Sequence, residues 1–266
     1  MASGDSRRST PWRSRTVKIA LGCAGLLLTL ATSASATQLN IAWDNCVGDG
    51  GTVDKAFACN TNSGRSTLVL SLVTPTGGIS RMTGAEALVY VATSNGAVDL
   101  PMWWSTFNAG TCREPGLSAN TIISDNAVHC LDGWSGQASA QALAAYWIDW
   151  DGPGTARIDM GAGLPEGTSL TLDDTDEYFL FNCRIAYSGT VGGACPGCSS
   201  PACLLFHGLD IAQSSGDVNQ FVATGPRTMV SWQGGGASIP YFPYCPASQA
   251  TPAARRTWGE IKSLYR

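Results

Sequence analysis

Glu177-Tyr-Phe-Leu-Phe-Asn-Cys-Arg-Ile-Ala-Tyr187 and Cys203-Leu-Leu-Phe-His-Gly-Leu-Asp-Ile211 are two runs of strand-forming residues separated by a loop that carries Cys195 and Cys198. In the first run Phe179, Phe181, Cys183, Ile185 and Tyr187 alternate with Tyr178, Leu180, Asn182, Arg184 and Ala186. The former row is wholly apolar and is expected to face a core. A connection held by cysteines makes an antiparallel hairpin the natural reading of the pair.

Working outward, shorter segments of strand composition recur between turn signals. They are Thr37 to Trp43, Ser66 to Val73, Glu86 to Ala92, Thr155 to Met160 and Arg227 to Gln233. Asn95-Gly96 marks a turn. Asn108 to Gly136 reads as a surface excursion, and Ser139 to Trp150 mixes helical Ala-Gln-Ala-Leu with strand-forming Tyr146-Trp-Ile148. Long amphipathic helices, which a parallel α/β sheet would need, are missing from the pattern. The expectation is an all-β chain, a two-sheet antiparallel sandwich of jelly-roll-like form with a short C-terminal helix. That helix is read over Thr257 to Tyr265, with Thr257 and Glu260 as a capping box and Trp258, Ile261 and Leu264 or Tyr265 as its apolar stripe.

The first 36 residues read as a secretory signal. Arg7, Arg8, Arg13, Arg15 and Lys18 precede the apolar run Ile19 to Leu30, and Ala34-Ser-Ala36 is a small-residue cleavage site. The organisation expected is therefore a signal peptide over 1–36, one β-sandwich domain over 37–252 and a helical tail over 253–266. The leader holds five of the sixteen Lys and Arg and one of the twenty acids, so the rest has eleven bases against nineteen acids, a net charge of −8. Such a chain lacks a basic patch for a nucleic-acid backbone. With the signal removed it has no membrane segment, and it is expected to be a monomer outside the cytoplasm, secreted, periplasmic or at the cell surface.

Nine of the ten cysteines lie beyond the leader. In an oxidising compartment Cys46, Cys59, Cys112, Cys130, Cys195, Cys198, Cys203 and Cys245 are expected in disulfides, with Cys46 to Cys59 and Cys112 to Cys130 as local clips. Cys183, in the apolar row, is the expected free thiol. Cys195-Pro-Gly-Cys198, Cys203 and His207 also have the spacing of a zinc site, but export favours disulfides over thiolate ligands.

Catalytic signals are sparse. No G-x-S-x-G occurs, and the chain has two histidines, His129 in a loop and His207 within a strand. Asp149-Trp-Asp151 and Asp173-Asp-Thr-Asp176 supply carboxylates that calcium or a glycosidase would use, although both also read as ordinary turns. Calcium, at Asp149, Asp151, Asp173, Asp174 and Asp176, is the cofactor the residues could hold. Trp103, Trp104, Trp134, Trp147 and Trp150 are the candidate ligand-binding residues, because exposed indoles stack on the apolar faces of sugar rings. The expected role is thus binding or surface-structural, with a glycan or cell-surface component as partner. The rival is a carbohydrate-active hydrolase using acids of Asp149 to Asp151 and Asp173 to Glu177.

Leu39-Asn-Ile-Ala-Trp-Asp-Asn-Cys46, the Cys195-Pro-Gly-Cys198 and Cys203 loop, Trp232-Gln-Gly-Gly235 and the terminal Thr257-Trp-Gly-Glu-Ile-Lys-Ser-Leu-Tyr-Arg266 resemble a group of uncharacterised exported bacterial proteins. The resemblance spans most of the chain beyond the leader. It implies a secreted single domain and supplies neither an activity nor a site.

Overall fold

Nearly every strand of the chain finds an antiparallel partner in one of two sheets. The structure, a computed structural model, describes residues 37–93, 99–105, 107–123 and 130–234. The signal peptide, Asn95-Gly96, His129, Cys245 and the C-terminal helix expected from the sequence lie outside the described residues. In chain order the strands are β1 Gln38–Trp43, β2 Asp54–Lys55, β3 Arg65–Val73, β4 Ile79–Thr93, β5 Leu117–Asn120, β6 Leu131–Asp132 and β7 Leu143–Ile148. They continue with β8 Thr155–Gly163, β9 Leu170–Leu172, β10 Glu177–Ala186, β11 Ala202–Gln213, β12 Val218–Val222 and β13 Met229–Trp232, and one helical turn, α1 Met102–Ser105, precedes β5.

The first sheet runs β1, β3, β10, β5, with β6 beside β10. The second runs β2, β13, β11, β4, β8, β7, with β12 on β11 and β9 on β4. Only the two-residue strands β6 and β2 pair in parallel. Between the sheets lies one core. Ile41, Trp43, Leu68, Leu70, Phe181 and Cys183 enter it from the first sheet, and Val89, Val91, Ile158, Leu204, Phe206 and Trp232 from the second, all fully buried. Each large side chain there contributes roughly 1.5 to 3 kcal/mol of burial. The result is the all-β, jelly-roll-like sandwich expected.

The expected hairpin is not formed. β10 pairs with β3 and β5, whereas β11 pairs with β4, β12 and β13 in the other sheet. The segment 187–201 carries the chain from sheet to sheet, and the two apolar runs face one another across the core. Nor does β10 keep strict alternation. A register shift between Phe179 and Phe181 sets Tyr178 opposite Leu72, Phe181 opposite Leu70 and Cys183 opposite Leu68, so Tyr178 shares the inner row and Phe179 leaves it.

The disulfides explain why a cysteine-rich loop did not make a local pair. Cys46 is bonded to Cys130, Cys59 to Cys198 and Cys112 to Cys195, and the clips Cys46 to Cys59 and Cys112 to Cys130 are absent. These bridges close 84, 139 and 83 residues, each worth about 4 to 5 kcal/mol in the chain-entropy model. Cys203 is disulfide-bonded as well. Cys183 is free and buried, and burial pushes its thiol up to about 12. The three bridges place the folded chain in an oxidising compartment. No helix among the described residues is long and apolar enough to cross a membrane.

The excursion expected over Asn108 to Gly136 includes strand after all. β5 pairs with β10 through Leu117 opposite Ile185 and Ala119 opposite Cys183. Arg113, fully buried, anchors this stretch by donating from Nη1 to Trp103 O at 2.9 Å, from Nε to Ser188 O at 3.1 Å, and from Nη2 to Ala186 O. Its guanidinium lies 3.4 Å over the Trp103 ring and 4.6 Å over Phe107.

Candidate binding face

Alternation leaves the outer face of the second sheet carrying every other residue of β4, β7, β8 and β11. Register aligns Trp147 of β7, Arg157 of β8, Tyr90 of β4, Leu205 of β11 and Met229 of β13 in one row across that face. At its β7 end Trp147 and Trp150 are 46% and 45% exposed, the only aromatic side chains exposed to that degree among the described residues.

Their positions are held by polar contacts. Arg157 grips Asp159 with both ends of its fork, Nε to Oδ1 at 2.5 Å and Nη2 to Oδ2 at 2.6 Å. Trp147 Nε1 donates to the same Asp159 Oδ2 at 2.7 Å. The Arg157 guanidinium stacks 3.5 Å over the Trp150 ring, and the two indoles lie 6.0 Å apart at 50°. The Asp159 hydrogen bond raises the pKa of Arg157 further above its usual value, so the cation is permanent.

Trp150 owes its place to the turn between β7 and β8. Asp149 takes a left-handed φ of 53° and its N–H donates to Thr155 O at 2.8 Å. Thr155 Oγ1 donates to Gly152 O at 2.8 Å and accepts from Asp151 N at 3.2 Å. Gly152 and Gly154, at φ 116° and 80°, supply backbone that side-chain-bearing residues avoid.

Toward the sheet centre, His207 sits where β11 slips register against β4, and its ring stacks on Tyr90 at 4.4 Å and 20°. Burial lowers the His207 pKa, Asp151 opposes that shift, and Arg157 adds to it. Beyond His207 the face becomes a trough of about 480 Å³. Gly84, Gly161, Gly163 and Ala212 floor it and Val218 edges it. Glu86 and Asp210 stand opposite each other in register at its middle.

Of the five tryptophans expected to bind, only Trp147 and Trp150 can offer a ring face. Trp103, Trp104 and Trp134 are fully buried, which corrects their reading as ligand contacts. Trp103 packs against Trp104 at 4.9 Å and Trp232 at 4.7 Å, and gives its indole N–H to Thr190. Trp134 donates to Leu180 O at 2.6 Å. They fill the sandwich and its lower loops.

The acids divide in the same way. Asp149 and Asp151 lie exposed on the Trp150 turn, beside the aromatic pair. Asp173, Asp174 and Asp176 belong to the turn into β10. There Asp173 Oδ1 accepts from Thr175 N, the one Thr175 hydroxyl proton is shared between Asp173 Oδ1 and Asp176 Oδ2, each 2.8 Å from Oγ1, and Asp174 Oδ2 accepts from Gly77 N at 2.7 Å. The bonds from Thr175 lower the Asp173 pKa. Glu177, which follows, accepts from Asn40, Ser71 and the backbone of Val47 and Gly48, pinning the loop after β1. Among the described residues no three His, Cys, Asp or Glu converge as metal ligands. The zinc spacing is likewise spent, because Cys195, Cys198 and Cys203 are disulfide-bonded.

Sequence reasoning missed Arg157, Asp159, Tyr90, Glu86 and Asp210, and set His207 aside as a sheet residue. The readable signal was the alternate row Arg157, Asp159, Gly161, Gly163, a charged pair followed by two residues without side chains.

No family model matches this chain, and neither does any curated protein. Among solved structures it is similar to a cohesin module from the Clostridium perfringens ATCC13124 family 33 glycoside hydrolase, at 10% identity and a TM-score of 0.31, covering 75% of this chain and 94% of that one. It is also similar to AvmM, which catalyses macrocyclisation in alchivemycin A biosynthesis, at 12% identity and a TM-score of 0.35, covering 71% and 90%. At these scores neither likeness bears on what the present chain binds or does.

Proposed function

We propose that this disulfide-stabilised sandwich is an exported glycan-binding protein, and that Trp147 and Trp150 form its platform. The observation that carries the reading is their joint exposure at the β7 end of the outer face, Trp147 bonded to Asp159 and Trp150 stacked with Arg157. Sugar rings present apolar C–H faces that stack on indoles, and hydroxyls that bond to charged groups beside them. Orientation fixed in advance lowers the ordering cost of binding. Asp149 and Asp151 on the adjoining turn add acceptors for hydroxyls, and the trough beyond His207 gives a chain of sugars room to continue.

A glycan array followed by affinity electrophoresis tests this. The expected result is retention by at least one polysaccharide, weakened more than tenfold by Trp147→Ala and by Trp150→Ala, with melting temperature held. Binding that both variants leave intact would place the ligand elsewhere, and an array with no retained glycan would refute the reading.

One observation favours the hydrolase instead. Its acids are not those of Asp149 to Asp151 or Asp173 to Glu177 but Glu86 and Asp210, direct cross-strand neighbours whose Cβ atoms, about 4.5 to 5.5 Å apart in such pairs, let the carboxyls reach the roughly 5 Å separation of retaining glycosidases. Release of reducing sugar from the retained polysaccharide, abolished in Glu86→Gln and Asp210→Asn, would establish catalysis in place of simple binding.

A further inference from the structure

The outer face of the second sheet has a covered patch at the end away from the trough. Ala92 of β4 and Cys203 of β11 are cross-strand partners, Leu205 stands two residues on, and they are 0%, 0% and 4% exposed. Their chain neighbours Val91 and Leu204 point into the core, so these three point away from it. Tyr90, Ala223 and Met229 pack around them. Every described strand already belongs to one of the two sheets, so the cover is not a third layer of these strands.

Cys203 is disulfide-bonded. Its partner is none of the other described cysteines, because six of them bond to each other and Cys183 is free. The chain's remaining cysteines are Cys23, in the leader, and Cys245. β13 runs antiparallel to β11 with Ser231 opposite Cys203, and it ends at Trp232. The chain therefore leaves the described structure within a few residues of the Cys203 sulfur, and the stretch from Gly234 to Cys245 can span up to about 36 Å.

We infer that Cys203 is bonded to Cys245. The bridge forms when each thiol gives up its hydrogen and the two sulfurs join. Two electrons and two protons pass to a disulfide oxidant of the compartment, which becomes a dithiol. The inference does not depend on a glycan being bound.

Non-reducing digestion of the full exported chain, after free thiols are blocked in denaturant, tests it. The expected product joins the peptides containing Cys203 and Cys245, two hydrogens lighter than the reduced pair, with Cys183 alone alkylated. Cys203 recovered alkylated, or joined to Cys23 or to any described cysteine, would overturn the pairing. In Cys245→Ser, denaturing titration should find a second reactive thiol beside Cys183. An unchanged thiol count would overturn the bridge. If that variant does not fold, the peptide map of the natural chain decides alone.

Discussion

Arg113 shows how much one buried side chain organises. It is fully buried, and three backbone carbonyls accept from it, in place of a carboxylate. Burial pulls its pKa down to about 9. Arg113→Ala would leave those carbonyls without a donor, and the expected loss is on the order of 3 kcal/mol or more, read as a lower denaturation midpoint. Arg113→Lys should recover only part of it, because an ammonium cannot reproduce the planar fork. His207 yields a test in pH. Its folded pKa is lowered, so the unfolded chain takes up a proton first as pH falls. The stability tied to its neutral form is therefore present above the unfolded value of 6.5 and lost as pH falls through the lowered folded value. His207→Gln should flatten that limb of the stability profile, and a limb of unchanged slope would mean that another group titrates there.

At the scale of elements, strand composition was readable and strand partnership was not. Both β10 and β11 follow from their runs of Phe, Leu and Ile, yet pairing is decided by residues far away, Leu68 to Leu72 for β10 and Val89 to Ala92 for β11. Loop length and cysteine content cannot report this. The same limit applies to the tryptophans. In Tyr146-Trp147-Ile148 all three residues are apolar, so the sequence carries no phase, and only the pairing of β7 on β8 decides that Tyr146 turns in and Trp147 out. Trp150 was legible for another reason, since a Trp beside Asp151-Gly-Pro-Gly154 sits on a turn. That turn can be tested without touching a ring. A Cβ on Gly152 meets no atom within 4 Å, but the φ of 116° is one that L-residues rarely adopt. Gly152→Ala should cost about 1 to 2 kcal/mol and weaken glycan retention by displacing Trp150. Full retention with lowered stability would separate the turn from the site.

For the whole molecule, few charges and long disulfide loops work together. Three bridges tie the segment after β1, the stretch around α1 and β5, and the crossing loop into one frame. The cysteine pairing was unreadable because many connectivities share one set of positions, whereas the expectation of disulfides followed from reading residues 1–36 as an export signal. The chain's end makes the last prediction. Trp258, Ile261 and Tyr265 form an apolar stripe if Thr257 to Tyr265 is helical, flanked by Arg255, Arg256, Lys262 and Arg266. Residues 37–252 hold seven bases against eighteen acids, and Glu86 and Asp210 line the trough. A basic amphipathic tail leaving an acidic sandwich is expected to dock on it, since an unshielded stripe of that size is an aggregation liability. Ending the chain after Pro252 keeps Cys245 and removes the stripe together with its flanking basic residues. Burial of one large aromatic and one aliphatic side chain is worth roughly 3 to 6 kcal/mol, so the truncated chain should unfold at a distinctly lower denaturant concentration while staying a monomer by light scattering. Coincident unfolding midpoints would show that the tail does not dock and serves instead as an address for export or attachment, in which case truncation should change where the protein accumulates.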